Sequence, residues 1–246
     1  MRFFVCENSK DLGKQAAKSG ALKINQAIKE KGFANVILAT GASQFDTLEA
    51  LVKENVDWSK VTCFHLDEYV GISVTHKASF RKYLKERFED KVKTLKAFNY
   101  VNGDAKDLNK ELDRIGSLIK AVDIDVAFIG IGENGHLAFN DPPADFETES
   151  PYLVVDLDKK CRNQQVGEGW FDSINEVPKQ AVSMGIRQIM KSKTIICAVP
   201  DSRKSEAVDM AINKEVSNLY PCTIMREHKD CYLITEYSSA AKVLGK

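Results

Sequence analysis

Two side chains suited to proton transfer follow apolar, strand-like runs of the sequence. Asp67 comes directly after VTCFHL, and His136 lies in a glycine-rich stretch after IDVAFIG. A carboxylate on a rigid strand end can accept and return a proton, and an imidazole exchanges protons near neutral pH. Asp67 and His136 are therefore the candidate catalytic groups. The alternatives are a solvated turn formed by Asp67 and Glu68, and a loop histidine bonded to backbone.

The stretch around His136 contains a formal G-x-G-x-x-G pattern. Gly130, Gly132 and Gly135 complete it, but two prolines follow from position 142, where a dinucleotide-binding site needs a long helix. We therefore interpret the stretch as a loop that lets the backbone approach a small ligand. Asp141, five residues after His136, can orient the imidazole ring through a hydrogen bond.

A possible anion site follows the run NVILAT. The residues Gly41-Ala42-Ser43-Gln44 form a turn that leads into a helical pattern, and free N–H groups at a helix N-terminus favour anions. The alternative is that Ser43 caps this helix. Both interpretations can hold together.

A pair of cations opens another helical pattern after TIICAV. Arg203 and Lys204 face the unfavourable end of the helix dipole, which is tolerable if an anion such as phosphate binds there. The alternative is a solvated pair of long side chains.

Short apolar runs alternate with helical patterns along the chain. The runs at 35–40, 61–66, 124–130, 152–157 and 194–199 are rich in branched residues, as in strands buried on both faces of a parallel sheet. Helices are predicted from Ser9 to about Lys31, with Gly32 as its C-cap, at about 44–54, 77–90, 106–120, 179–191 and 203–212, and briefly after Ser238.

This alternation predicts an α/β fold, a three-layer sandwich with a mostly parallel Rossmann-like sheet. Ligands of such sheets bind beyond the carboxyl ends of the strands, so the segments after residues 40, 66, 130 and 199 should meet at one cleft. Residues 141–150 are the best candidate for a long loop. No linker-like stretch divides the chain, which predicts a single domain over residues 1–246.

The composition narrows the class of protein. Among 246 residues, 35 basic side chains balance 35 acidic ones, which argues against a nucleic-acid or membrane-surface binder. No apolar run approaches a membrane span, and the apolar start of the chain is too short for a secretory signal. Six scattered cysteines fit reduced thiols, so we expect a cytoplasmic protein. Histidine and cysteine spacing indicates no metal site.

Four segments together resemble the glucosamine-6-phosphate deaminase/isomerase family, which includes the related 6-phosphogluconolactonases. They are LATGAS, FHLDEYVG, GIGENGHLAFNDP and WFDSINEVPKQAVSMGI, and the resemblance covers most of the chain. It implies a NagB-like fold and a cofactor-free, hydrolase-type enzyme that turns glucosamine 6-phosphate and water into fructose 6-phosphate and ammonia. The implied partner is a small sugar phosphate. Self-association into a homo-oligomer stays open.

The resemblance also implies residue roles. Asp67 moves the proton from C2 to C1 of the open sugar, and His136 assists ring opening with Asn134 and Asp141 as relay partners. The backbones of Gly130 and Ala138 line the sugar. The phosphate is held by Lys204 and by a turn made of Gly41, Ala42 and Ser43.

Several positions depart from the family pattern. The best-known members have Asp at 134 and Glu at 141, and they have arginine where this chain has Gly169. Arg162 and Arg203 are the candidate replacements for that arginine. Two alternatives follow: a lactone hydrolase, which needs no enolising carboxylate, and a sugar-phosphate sensor without turnover, which Asn134 and Gly169 would favour.

Overall fold

Two sheets organise the computed structural model, which describes residues 1–245. The ten strands are β1 (Arg2–Cys6), β2 (Ala34–Leu38), β3 (Val61–His65), β4 (Asp67–Tyr69), β5 (Ala97–Asn99), β6 (Val126–Ile129), β7 (Tyr152–Asp156), β8 (Gln180–Met184), β9 (Thr194–Val199) and β10 (Cys231–Glu236). Seven of them form a parallel sheet in the order β1-β10-β9-β6-β2-β3-β5. Strands β3 and β5 lie on one side of β2, and the later strands β6, β9 and β10 lie on the other. The order in which strands are added therefore reverses between β2 and β6, and such sheets bind ligands at this point.

Helices cover both faces of the large sheet. They are α1 (Ser9–Lys31), α2 (Phe45–Leu51), α3 (Phe80–Leu84), α4 (Asp90–Val92), α5 (Leu108–Lys120), α6 (Lys159–Gly167), α7 (Ile186–Met190) and α8 (Ser205–Asn213). The strand β2 shows the layering: Ile37 packs into the core on the side of α5, α7 and α8, while Val36 and Leu38 pack on the side of α1, α2 and α3. The predicted three-layer α/β fold is confirmed.

Helix α1 begins and ends with the expected signals. Asn8 accepts a hydrogen bond from the Asp11 N–H, and Gly32 has a left-handed φ of 85° and donates its N–H to the Ile28 carbonyl. The predicted C-cap glycine is confirmed, because this conformation costs glycine nothing.

The small sheet has the antiparallel order β4-β8-β7, in which Asp67 is paired with Ser183. Leu66 joins the two sheets, since its N–H binds the Leu38 carbonyl and its own carbonyl accepts the Met184 N–H. The strand β4 is thus held against β8 directly after β3, which lies beside the edge strand β5 of the large sheet.

Two predictions about residues 152–191 are wrong. The run at 152–157 does form β7, but in the antiparallel sheet. The helix predicted at 179–191 is strand β8 followed by α7. Val182, Ile186 and Ile189 lie at i, i+4 and i+7 and so imitate one helical stripe, although the first belongs to a strand.

Other elements extend the predicted set. Strands β1, β4, β5 and β10 and helix α6 are additional, and the chain after Ser238 forms turns where a short helix was predicted. The helix predicted at 77–90 is α3, a π turn over Lys85–Glu89, and the start of α4. Within residues 1–245, no helix is long and apolar enough to cross a membrane.

Candidate active site

The segments after β2, β3, β6 and β9 meet at one cleft, because these strands are neighbours in the sheet. They enclose a cavity of about 60 Å³. Among the predicted site residues, those that line it are Gly41, Ser43, Asp67, Gly130, His136, Ala138 and Lys204. The predicted convergence is confirmed.

The other three predicted residues lie beside the cavity. Ala42 borders a neighbouring pocket of about 490 Å³. Asn134 and Asp141 stand behind His136, where both bond to its side chain or backbone. The roles of all ten residues stay predictions.

The two adjacent carboxylates have different surroundings. Asp67 and Glu68 are both buried, at 6% and 0% exposure, so the solvated-turn alternative is wrong. Successive residues of a strand point to opposite faces. Asp67 faces the cavity, while Glu68 faces the start of α3.

Glu68 is a structural residue. Its carboxylate accepts hydrogen bonds from the Phe80 and Arg81 N–H groups and from the Ser79 hydroxyl. The Arg81 guanidinium lies 3.5 Å away. These donors satisfy the carboxylate and hold the first turn of α3 against β4.

Asp67 lacks such partners. Its Oδ1 is buried and has no hydrogen-bond partner among residues 1–245. Burial, and secondarily the Glu68 charge, raises the pKa of Asp67 from 3.8 to about 8. A buried carboxyl with a free oxygen and a pKa near neutrality is the expected state of a general base before its substrate arrives.

His136 belongs to a compact polar relay. Its Nδ1 lies 2.9 Å from Asp141 Oδ1, so the predicted orienting hydrogen bond is confirmed and the backbone-bonded alternative is wrong. Asn134 donates its amide to the same oxygen at 2.8 Å and accepts the His136 N–H. Burial alone would raise the pKa of Asp141, but hydrogen bonds from His136, Asn134 and the Asp158 N–H lower it. Asn134 therefore supports the relay without ionising.

The His136 imidazole packs directly against the backbone of Gly132. A Cβ placed there would lie 2.2 Å from His136 Nε2, closer than atoms can approach. After Gly132 the chain remains irregular up to residue 151, and no helix begins before α6. The predicted loop is confirmed and a dinucleotide fingerprint is excluded, while the approach of this loop to a ligand stays a prediction.

We expect Gly132→Ala to displace the His136 ring. Misplacing a catalytic group by about 1 Å can cost on the order of 10²-fold in rate, so kcat should fall while the protein stays folded. The control is Gly167→Ala, whose Cβ would meet only ordinary contacts at 3.9 Å. Equal kcat values for the two variants, measured by steady-state kinetics, would contradict the packing argument.

The turn after β2 packs closely against the backbone of the loop after β6. Gly41 has a φ of 89°, and a Cβ on Gly130 would meet Ser43 Oγ at 3.1 Å. Ser43 does not cap α2, because the helix begins with Gln44 as its N-cap and without a side-chain cap bond. Ser43 lines the cavity instead, so the capping alternative is wrong.

Lys204 is buried at 4% exposure, so the solvated-pair alternative is wrong for it. Burial lowers the pKa of Lys204, and the Glu168 carboxylate opposes this effect. Lys204 Nζ lies 3.8 Å from Glu168 Oε1. Its neighbour Arg203 is paired with Asp201 at 2.6 Å.

The missing arginine is not replaced by either candidate. Arg162 donates to the Ile174 and Val177 carbonyls, and Arg203 is held by Asp201. Gly169 has a φ of 81° and no atom within 4 Å of a Cβ built on it. It therefore serves a turn and does not line the cavity.

Among the lining residues that the sequence did not predict are three polar side chains from outside the strand-end segments: Gln164, Gln165 and Glu168. They come from the end of α6 and the following turn. The polar stretch CRNQQVGEGW has no apolar stripe to predict a helix, and it buries only Cys161 and Gln165. The sequence feature that could have indicated these residues is their position: two amides and a carboxylate lie just before the family segment that begins at Trp170.

Within residues 1–245, one group has the atoms of a metal site. The ligand atoms of His136, Asp141 and Cys161 lie within 4.8 Å of one another. His136 and Asp141 already bond directly, and burial together with the carboxylates of Asp141 and Asp158 raises the pKa of the Cys161 thiol. A protonated thiol is a poor metal ligand. The prediction of no metal stays untested.

Comparison with known proteins gives consistent matches. The pattern of the family described as glucosamine-6-phosphate isomerases/6-phosphogluconolactonase matches residues 7–233. A glucosamine-6-phosphate deaminase of Streptococcus agalactiae is 38% identical over 206 residues, covering 84% of this chain and 86% of the relative. Glucosamine-6-phosphate deaminase 1 of Bacillus subtilis is 32% identical over 247 residues, covering 98% and 99%.

Solved structures agree with these matches. A monomeric glucosamine-6-phosphate deaminase of the NagB superfamily aligns with a TM-score of 0.88 at 31% identity, covering 98% of this chain and 99% of that one. A 6-phosphogluconolactonase of Thermotoga maritima aligns with a TM-score of 0.78 at 16% identity, covering 96% and 99%. The second likeness concerns the fold alone.

Proposed function

Because the chain belongs to the glucosamine-6-phosphate isomerase/6-phosphogluconolactonase family, we propose that it converts glucosamine 6-phosphate and water into fructose 6-phosphate and ammonia. The observation that carries this proposal is the carboxyl of Asp67. It is buried in the central cavity, keeps one oxygen without a hydrogen-bond partner among residues 1–245 and has a pKa raised to about 8. An isomerase needs such a base, and lactone hydrolysis does not.

The proposed reaction begins with ring opening. His136, oriented through Nδ1 by Asp141, exchanges the proton of the ring hemiacetal and frees the C1 aldehyde. Asp67 then takes the C2 proton, and the electron pair forms a C1–C2 double bond. The C1 oxygen, which becomes an alkoxide as the C1=O double bond breaks, takes a proton from water. This gives an enolamine that carries a hydroxyl on C1 and the amine on C2.

The second half returns the proton and releases nitrogen. Asp67 delivers its proton to C1, which leaves an iminium ion at C2. Loss of one proton to water balances the proton taken up by the C1 oxygen and gives the C2 imine. Water adds to this imine, and ammonia departs to leave the C2 ketone of fructose 6-phosphate. One water is consumed, and the enzyme is a hydrolase only in that sense, since the central step is an isomerisation. All atoms balance without a cofactor.

The phosphate end of the site is proposed to be the turn at 41–43 together with Lys204. Backbone N–H groups at this turn and one buried cation favour an anion. Its distance from the reacting carbons lets the grip supply positioning energy without entering the chemistry.

Neither of the two residues that favoured a sugar-phosphate sensor, Asn134 and Gly169, argues for it in the structure. Asn134 holds Asp141 in the relay, and Gly169 does not line the cavity. We propose a cytoplasmic setting, which the six free cysteines support, with a small sugar phosphate as partner. The oligomeric state stays an open prediction, which light scattering would decide.

The test is ammonia release from glucosamine 6-phosphate, with galactosamine 6-phosphate assayed in parallel. We expect ammonia and fructose 6-phosphate in equal amounts from the gluco epimer. Hydrolysis of 6-phosphogluconolactone without ammonia release would favour the lactonase alternative. Binding of the sugar phosphate with neither product would restore the sensor alternative.

The pKa of Asp67 predicts the pH profile. The base acts ionised, so kcat/KM should rise about tenfold per pH unit up to about pH 8 and then level off, because this parameter reports the free enzyme. The same shift acts on stability with the opposite slope: the contribution of Asp67 is full below pH 3.8 and is lost as the pH rises to about 8. Stopped assays across pH 6 to 9 check the profile. A profile already flat at about pH 6 would contradict the assignment.

A further inference from the structure

The cavity of about 60 Å³ shares Ser43, Glu168 and Lys204 with the neighbouring pocket of about 490 Å³. Gln164, Gln165 and Glu168 form the part of the cavity wall that comes from α6 and the residue after it. Glu168 and Lys204 therefore lie where the two spaces meet.

Glu168 is the charged member of that wall. Its side chain is 6% exposed and its Oε1 accepts a hydrogen bond from Gln164 Nε2 at 2.8 Å, while Oε2 accepts one from Trp170 Nε1 at 3.1 Å. Oε1 lies 3.8 Å from Lys204 Nζ. Oε2 lies 3.9 Å from a Cβ position on Gly41. The carboxylate thus occupies the position between the lysine and the turn where the phosphate is proposed to bind.

The charges around Lys204 determine how readily an anion can bind at this position. The charges that act on Lys204 are the carboxylates of Glu133, Glu168 and Asp201 and the guanidinium of Arg203. Two cations against three carboxylates give a local net charge of −1, which becomes 0 when Glu168 is removed. A phosphate dianion therefore enters a site that one internal carboxylate has made net negative.

We propose that Glu168 is a specificity-determining residue whose carboxylate competes with the substrate phosphate for Lys204. This inference rests on the proposed function, since it needs Lys204 to hold the phosphate. The competition weakens phosphate binding and reduces the preference of the enzyme for phosphorylated over unphosphorylated sugars. When phosphate binds, Glu168 leaves Lys204, and Trp170 loses its carboxylate partner as the wall opens.

The test uses glucitol 6-phosphate, an open-chain polyol that carries the phosphate and cannot isomerise. Calorimetry compares it with unphosphorylated glucitol on wild type and on Glu168→Gln. Removing one buried charge from the phosphate position should lower Kd for glucitol 6-phosphate by about 10- to 100-fold. Binding of glucitol should not change. Glu168→Ala repeats the measurement with a smaller side chain.

Glu133→Gln is the matched control, because the Glu133 carboxylate is partly exposed, lies 4.0 Å from Arg203 and also acts on Lys204. We expect a change of about threefold or less, as for a screened surface charge. Unchanged or weaker phosphate binding in both Glu168 variants would overturn the inference and indicate that the carboxylate binds the substrate itself. Ammonia release by the wild type would then still support the proposed function.

The wild-type protein gives a second measurement. Titration with glucitol 6-phosphate should change the emission of Trp170, and Trp170→Phe should abolish this change while Trp58 remains as the internal reference. Phosphate binding detected by calorimetry without any Trp170 response would show that Glu168 stays in place, which contradicts the competition.

Discussion

Asp67→Asn should abolish nearly all turnover while the protein binds its substrate normally. The amide keeps the shape of the side chain but cannot accept the C2 proton, and loss of a positioned general base typically costs ~10²–10⁴-fold in rate. The loss should fall on kcat with little change in KM, because the proposed phosphate grip is remote from C2. Exchange of the C2 hydrogen with deuterated solvent, followed by NMR, should vanish with turnover.

The control for this variant is Asp172→Asn, which removes a carboxylate that is 79% exposed and paired with Lys77. It should turn over normally. If Asp67→Asn also kept near-normal turnover, the base assignment would be wrong, and most of the argument for an isomerase over a lactonase would go with it.

His136→Gln should separate ring opening from proton transfer at carbon. Glutamine cannot exchange the hemiacetal proton as imidazole does, so turnover of the ring form should fall by roughly 10²-fold or more. A substrate supplied in open-chain form should still exchange its C2 hydrogen, because Asp67 is intact. NMR of deuterium incorporation from both substrate forms measures the difference.

His76→Gln is the matched control. His76 lies in an exposed loop, stacked on Phe171, and its loss should leave both substrate forms unaffected. Equal losses for ring and open-chain substrates in His136→Gln would show that the imidazole acts on the carbon proton as well, which contradicts the division of roles.

Apart from β7, which is only partly buried, the predicted strands were those whose residues are almost all buried on both faces. β2 and β9 are buried throughout, so their sequences read as continuous apolar runs. Strand β1 lies at the edge of the sheet and exposes Phe3, so its short sequence lacks the continuous apolar pattern of a buried strand and was not predicted. β8 and α7 could not be separated, because no turn residue except Gly185 lies between them and their apolar spacing is helical.

The acid–base part of the site was predictable because strand ends position it. Asp67 and His136 follow predicted strands, and parallel strands bring such positions together. Glu168 was not predictable. It reaches the cavity from α6, which returns over the sheet from a distant part of the chain, and nothing in the local sequence encodes that path.

The pairing of β4 restricts how the length of the chain can change during evolution. Asp67 and Glu68 are consecutive, and each faces the side of the strand that its role requires. Inserting one residue between Leu66 and Asp67 would exchange the two faces, placing a glutamate in the cleft and an aspartate under α3, and deleting Asp67 or Glu68 would remove one of the carboxylates. Relatives of this chain should therefore show no length variation here, while the loop at 145–150, which is mostly exposed, can absorb it.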